Sequence, residues 1–277
     1  MAGFFGIGDY ESAGAGIPKN APKKKRIFIF FQILFNKIWQ IFFLNLLYLI
    51  FCIPIVTIGP ATTAMMKISR NFSIEKPTFI ISDFLDAFKK NFKQSFIIGI
   101  LDLFIFGSVG LGFYIYPLIA KQNGDAWYIP FAITLSIGIT FLIMNFYIYL
   151  MILSTDLSMK NILKNSFFLS FMSLKINIVT LILSIFIAVV PIILIYINLL
   201  FILFLPFFPL SCMGFIIAFN IYPIIMKYVI KPYYDKIGQP VPGELQNDEN
   251  EEKLFQDKGG SEKPVQSKKK SRGKIIK

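Results

Sequence analysis

Five long apolar runs constrain this chain more than any other feature. Each holds about 20 residues with almost no charge, the length that an α-helix needs to cross a bilayer. Within hydrocarbon, backbone N–H and C=O groups must pair inside the protein, so these runs are predicted to be helices. The predicted spans are Ile38–Ile58, Phe96–Ile119, Ile129–Leu153, Ile176–Ile195 and Leu199–Met226.

The pattern within the runs excludes the other class of membrane fold. The chain is 55% hydrophobic, and its apolar runs do not alternate with polar residues as the strands of an outer-membrane barrel do. The predicted fold is an all-α integral membrane protein, a bundle of about five transmembrane helices with two cytoplasmic amphipathic helices. Aromatic residues toward the span ends are predicted to form an interfacial belt: Tyr114, Tyr116, Trp127, Tyr128, Tyr147 and Tyr149.

The residue type used most often in acid–base catalysis is missing. The chain has no histidine, which removes the commonest general base and the commonest metal ligand. The phosphate-binding pattern GxxxxGK[ST] is absent as well. Cys52 and Cys212 lie in apolar runs and are predicted to be buried thiols. We therefore predict that the protein is not an enzyme and has no catalytic residue, cofactor site or metal site.

Two segments between the spans have the pattern of amphipathic helices. In Ile81–Phe92 and in Met159–Phe171, apolar residues recur three and four positions apart. Each helix would lie on the lipid headgroups or against the bundle, or would dock a partner protein on the same side. The candidate partner-binding residues, with the turn after the first span, are Pro54, Gly59, Pro60, Phe84, Phe88, Lys89, Lys90, Lys160, Lys164 and Phe167.

Both ends of the chain differ in composition from the predicted membrane domain. Residues 1–26 are predicted to be a flexible basic N-terminal tail, and residues 27–230 the transmembrane helical domain. Residues 231–277 are rich in charge and poor in apolar side chains, so we predict a disordered C-terminal tail. The basic segment Lys268–Arg272 fits a solvated tail better than a specific nucleic-acid site. The lipid bilayer is the one partner that composition requires.

The distribution of lysine and arginine indicates the orientation. With five spans, one side holds the basic segments Ala61–Ser95 and Ser154–Lys175 and the C-terminal tail, whereas the other side holds Lys121. The positive-inside rule places the first side, with the C-terminus, in the cytoplasm. The basic cluster Lys23–Arg26 would then lie outside. An alternative removes this conflict: the first segment turns at Pro54–Pro60 and returns without crossing, which leaves four spans.

Polar residues interrupt several spans. Asp102, Asn145 and Asn220 are the candidate intramembrane polar residues, because an ionisable group in a membrane is costly and therefore a functional candidate. The structural alternative is that Asp102 bonds a neighbouring helix, while Gly99 and the glycines after it allow close helix packing.

Two motifs carry a family resemblance. Residues 44–64 read LNLLYLIFCIPIVTIGPATTA, and residues 83–94 read DFLDAFKKNFKQ. Both resemble the YesL-like family, bacterial membrane proteins grouped as a domain of unknown function. The resemblance covers about Ile33–Ile230 and leaves both tails outside. It implies a Gram-positive bacterium and an accessory role beside carbohydrate uptake, and it supplies no catalytic residues.

These observations predict a non-enzymatic, multi-pass protein of the plasma membrane. The resemblance implies that it is an accessory or partner of a carbohydrate ABC-type uptake system and contacts the importer's membrane subunits. The alternative is a small solute transporter or channel in its own right, whose path Asp102, Asn145 and Asn220 would line.

Overall fold

Residues 25–204 and 209–238 are described by the structure, a computed structural model, and within these ranges it contains helices and no strand. Short 3₁₀ helices cover Ile55–Thr57, Asp125–Trp127 and Leu199–Phe204, and a π-helix covers Met226–Ile230. The α-helices are α1 (Arg26–Asn36), α2 (Ile38–Cys52), α3 (Ile58–Ser73), α4 (Ile80–Lys90), α5 (Phe92–Asn123), α6 (Tyr128–Ser154), α7 (Met159–Met172), α8 (Leu174–Ile197), α9 (Pro209–Ile225) and α10 (Lys231–Ile237).

The chain divides into two units between Ile230 and Lys231. The first unit contains α1 to α9, and α10 belongs to the second. Most of both predicted tails, residues 1–24 and 239–277, lies outside the described residues.

Four helical stretches are long and apolar enough to cross a membrane: Phe92–Asn123, Asp125–Ser154, Leu174–Ile197 and Pro209–Ile237. The number rises to five if α1 and α2, which meet at a 69° bend, count as one broken span. The second, third and fourth predicted spans lie inside α5, α6 and α8. The last predicted span, Leu199–Met226, is not one α-helix, because a 3₁₀ helix precedes α9 and α9 begins at Pro209.

Helices α5 and α6 form an antiparallel hairpin that turns at Gly124, where φ is +96°. Small residues let the two helices approach closely. A Cβ on Gly112 would lie 3.0 Å from the Thr134 methyl carbon, and one on Gly138 would lie 2.9 Å from Val109. Gly99 also lies at a close helix contact, with α3, whereas Gly107 and Gly110 have no atom within 4 Å of a built Cβ. Gly99 and Gly112 therefore allow close helix packing, whereas Gly107 and Gly110 do not contribute to it.

The segment predicted as the first span, Ile38–Ile58, is one helix and a turn, and a second helix begins at its last residue. Helix α2 ends at Cys52, and α3 begins at Ile58, so Gly59-Pro60 opens a helix instead of ending one. Proline is tolerated in a first turn because the N–H that it lacks would have no partner there. The segment after Pro60, expected to be a loop, forms the best-buried helix: eleven of the sixteen residues of α3 are buried.

The two segments predicted as amphipathic helices largely coincide with α4 and α7, and the buried face of α7 differs from the predicted one. Helix α4 lies along α3, and Lys67 forms a 3.7 Å ion pair with Asp83. In α7 the buried face consists of Ile162, Ser166, Leu169 and Ser170. The predicted apolar face included Phe167 and Phe171, which are about half exposed instead. Small polar residues fit the close contact with α6 better than phenylalanine rings do.

Candidate functional site: polar clusters between the helices

Asp102 is the centre of a polar cluster between α5 and α6. Its Oδ1 accepts a hydrogen bond from Asn145 Nδ2 at 3.0 Å, and its Oδ2 accepts one from the Tyr149 hydroxyl at 2.5 Å. Asn145 and Tyr149 are four residues apart on α6, so both side chains reach the same face of that helix. The two hydrogen bonds join two helices that are long and apolar enough to span a membrane.

Tyr149 belongs to this cluster, although its position in the sequence does not predict this. The sequence places it in an interfacial aromatic belt together with Tyr147, but both side chains are buried and hydrogen-bonded. The signal that could have found Tyr149 is its spacing, one helical turn after Asn145. Burial follows because the phenol ring is largely apolar and its hydroxyl has an acceptor inside the bundle.

The cluster has one acceptor that remains unpaired among the described residues. Asn145 uses its amide nitrogen for Asp102 and, at 3.3 Å, for the Phe141 carbonyl. Its Oδ1 is buried without a hydrogen-bond partner. A buried acceptor beside a carboxylate is an arrangement that a cation or a donor group on a solute would suit.

Helix α2 lies beside this cluster. The Tyr48 hydroxyl is 3.1 Å from Thr62 Oγ1 of α3, and the Tyr48 side chain lies near that of Tyr149. The polar residues of the first segment and of the α5–α6 hairpin are therefore neighbours.

A second polar cluster joins α6, α7 and α8. The Tyr147 hydroxyl donates to Asn177 Oδ1 at 2.6 Å. The Asn177 amide nitrogen lies 2.8 Å from the Ser170 carbonyl and 3.3 Å from the Leu169 carbonyl, near the end of α7. Asn177 thus ties α8 to the last turn of α7, whose final carbonyls have no partner within their own helix.

Arg70, near the end of α3, connects three helices. Its Nη1 donates to the Ser154 hydroxyl at 3.0 Å and lies 3.4 Å from the Leu153 carbonyl, at the end of α6. The guanidinium lies 5.6 Å from the centre of the Tyr222 ring on α9. Burial lowers the pKa of Arg70 from its ordinary value. An arginine nevertheless stays charged, and a cation is favourable at the end of a helix.

The other polar residues of the spans have separate positions. Asn45 Oδ1 accepts a hydrogen bond from the Ser211 backbone N–H at 3.0 Å, which joins α2 to the first turn of α9. Asn198 Oδ1 accepts one from the Leu200 N–H at 2.9 Å. Asn220, predicted to lie with Asp102 and Asn145, is partly buried on α9. Within the described ranges it makes no hydrogen bond to either residue.

The predicted partner-binding residues fall into two groups. Inside the protein, Phe84 is fully buried, its ring centroid 5.2 Å from that of Phe51. The Phe88 ring packs on Phe51 as well, and Gly59 and Pro60 are buried in α3. Phe84, Gly59 and Pro60 therefore offer no open contact surface, and Phe88 is only partly exposed. The exposed residues of the set are Pro54, Lys89, Lys90, Lys160, Lys164 and Phe167.

Neither cysteine forms a disulfide, and Cys212 is buried, whereas Cys52 is only partly so. Across residues 25–204 and 209–238, no three His, Cys, Asp or Glu side chains lie close enough to hold a metal ion. Asp102 therefore has hydrogen-bonding partners and no ionisable carboxylate or thiol group arranged with it as a metal site.

Comparison with known proteins gives one match. Residues 41–113 match the model of a family described as protein of unknown function, DUF624. No curated protein and no solved structure matches the chain. The matched segment contains most of α2, all of α3 and α4, and α5 as far as Phe113, so it includes the Pro54–Pro60 turn and Asp102. The chain is thus a helical protein with membrane-length spans, and its first part carries a domain of unknown function.

Proposed function

We propose that the protein is a non-enzymatic component of the cell membrane that acts by binding another membrane protein. The proposal rests mainly on the hydrogen bonds that Asp102 makes between α5 and α6. This carboxylate is the strongest candidate for chemistry in the spans, and both of its oxygens accept hydrogen bonds that hold α5 to α6. Its partners make it a structural residue, whereas several exposed side chains outside the spans have no such role.

The proposed contact surface is the outer face of α7. Phe167, Phe168, Phe171 and Met172 are about half exposed on this helix, which is not among the candidate spans. Lys160 and Lys164 are exposed in its first half. Clustered exposed aromatic residues next to cations are typical of protein contact sites. The partner that the family resemblance implies is the membrane part of a carbohydrate ABC-type importer.

The proposed orientation places the C-terminus in the cytoplasm of a plasma membrane. Lys121, in the last turn of α5, and Asp125 lie at one end of the α5–α6 hairpin. Lys89 and Lys90 in α4, and Lys160 and Lys164 in α7, lie at the opposite end of these helices. The positive-inside rule supports a cytoplasmic location for the lysine-rich end.

Truncation of the α7 surface is expected to release the partner. In Phe167→Ala/Phe171→Ala, two exposed rings are lost without a change in the buried face, and hot-spot aromatics contribute about 2 kcal/mol or more each. We expect the importer subunits to be lost when the tagged variant is purified from native membranes. The control is Phe104→Ala/Phe113→Ala, which removes two exposed rings of α5. Equal recovery of importer subunits with all three proteins would contradict the proposal.

A second candidate function, a solute transporter, is favoured by the unpaired Asn145 Oδ1 beside Asp102. Its test is flux through purified protein in liposomes. Uptake of a sugar or an ion that Asp102→Asn abolishes, with the variant still folded, would replace the partner-binding proposal.

A further inference from the structure

We propose that α2, α3 and the turn between them form a re-entrant hairpin, whose tip, Ile53–Thr57, lies in the hydrocarbon of the bilayer. The chain then crosses the membrane four times, and α1 lies on the same side as the end of α9. This inference concerns a lipid-contacting surface and does not depend on the proposed function.

Two contacts define the register of the hairpin. Near the tip, Tyr48 lies beside Thr62, with 3.1 Å between their hydroxyl oxygens. At the open end, Lys37 Nζ lies 4.8 Å from the centre of the Phe72 ring. The midpoints of both pairs fall at residues 54–55, as expected for two antiparallel helices that turn there. Helix α2 has 15 residues, which corresponds to about 22 Å at 1.5 Å per residue. That length is shorter than the roughly 30 Å of hydrocarbon.

The segment begins and ends at the same end of the bundle. At its start, Arg26 Nη2 donates to the Phe219 carbonyl at 2.6 Å. At its end, Arg70 lies over Tyr222 and bonds to Ser154. Phe219 and Tyr222 are three residues apart, less than one turn of α9. If α1 and α2 formed one span that ended in α3, Arg26 and Arg70 would lie on opposite sides of the bilayer.

The composition of the tip fits lipid better than water. Ile53, Pro54, Ile55 and Val56 are all exposed, Ile53 by 78%. No charged residue occurs between Lys37 and Lys67, so the charges flank the hairpin at its open end. An apolar tip would lie in the hydrocarbon, and the charged residues on either side of the hairpin would lie among the headgroups.

Part of the tip's backbone is paired within the chain, as hydrocarbon requires of an irregular segment. Pro54 has no N–H to satisfy. The Thr57 N–H donates to the Pro54 carbonyl at 3.0 Å. The Thr57 hydroxyl lies 2.6 Å from the Phe51 carbonyl oxygen and 2.7 Å from that of Pro54. The Thr57 hydroxyl can thus bond the Phe51 carbonyl, in the last turn of α2, where carbonyls lack partners within their own helix. Gly59 contacts Ser95 and Gly99, so α5 shields the returning chain.

Cysteine labelling distinguishes the two topologies. The two native cysteines are first removed by Cys52→Ala and Cys212→Ala. Single cysteines are then introduced at Lys25, Ile55, Lys160 or Gln122. Membrane vesicles of either orientation are treated with a maleimide that cannot cross the membrane. We expect Lys25→Cys to label from the same side as Lys160→Cys, Gln122→Cys from the other side, and Ile55→Cys from neither. Labelling of Lys25→Cys from the Gln122 side, with Ile55→Cys reactive from the Lys160 side, would overturn the inference.

A nitroxide on Ile55→Cys gives a second readout in bilayers. We expect its relaxation to respond to dissolved oxygen and not to a water-soluble nickel complex, with the opposite response for a nitroxide on Lys160→Cys. Thr57→Val should also lower the unfolding temperature in nanodiscs, whereas Thr57→Ser, which keeps the hydroxyl, should not. A nickel-accessible tip, or equal unfolding temperatures for Thr57→Val and the unaltered chain, would refute a tip in hydrocarbon.

Discussion

Replacement of Gly59 by alanine is expected to destabilise the protein more than the same replacement at any glycine of α5. A Cβ at this position would lie 2.9 Å from Gly99 Cα and closer still to the Ser95 carbonyl oxygen. Both are backbone atoms, so neither can rotate away as the end of a side chain would. Overpacking of this kind costs about 1–3 kcal/mol, and more where the surroundings cannot move. The variant should unfold at a clearly lower temperature in detergent.

The controls for this prediction lie on the neighbouring helix. Gly99→Ala would place a Cβ 3.0 Å from Gly59 Cα, and Gly107→Ala would meet no atom within 4 Å. We therefore expect the unfolding temperature to fall most for Gly59→Ala and less for Gly99→Ala. Gly107→Ala should be neutral or slightly stabilising, because alanine favours a helix by up to about 1 kcal/mol over glycine. Equal unfolding temperatures for Gly59→Ala and Gly107→Ala would show that α3 and α5 are not in close contact.

The second large effect is expected at Asp102. Replacement by leucine would leave the Tyr149 hydroxyl without its acceptor and would remove one of the two acceptors of the Asn145 amide nitrogen. An unpaired buried polar group costs about 1–3 kcal/mol, although single hydrogen bonds between membrane helices average only about 0.6 kcal/mol. We expect Asp102→Leu to lower the unfolding temperature markedly. Ser108→Ala is the matched control, because the Ser108 hydroxyl donates to the Phe104 carbonyl of its own helix.

A double-mutant cycle separates this contact from general damage to the helix. Asp102→Asn and Tyr149→Phe, alone and combined, report the coupling free energy of the pair. We expect the combined variant to be less destabilised than the sum of the two single variants. Additive losses would mean that the carboxylate and the hydroxyl do not interact in the membrane. Unchanged stability of Asp102→Asn with loss of solute flux would instead make Asp102 a transport residue.

The spans and the two polar side chains at the centre of the bundle were accessible from sequence. Helices α5, α6 and α8 follow from runs of apolar residues, because each residue contributes independently to transfer into the bilayer. Asp102 and Asn145 stand out because polar groups are costly there. Tyr149 did not stand out, since a tyrosine near a span end fits an interfacial belt equally well. Its hydrogen bond depends on which face of α6 meets α5.

The hydropathy of the chain is enough to predict an α-helical membrane protein, the positions of three spans and a polar pair within them. The fold of residues 53–73 depends instead on contacts between distant parts of the chain. A proline and a glycine indicate from the local sequence that a helix is interrupted. They do not indicate whether the chain then leaves the membrane or turns back as a second helix. Here Tyr48 pairs with Thr62 and Gly59 packs on Gly99, and these contacts make α3 a buried helix. Such pairings join residues far apart in the chain, and hydropathy, a sum over neighbouring residues, contains no information about them.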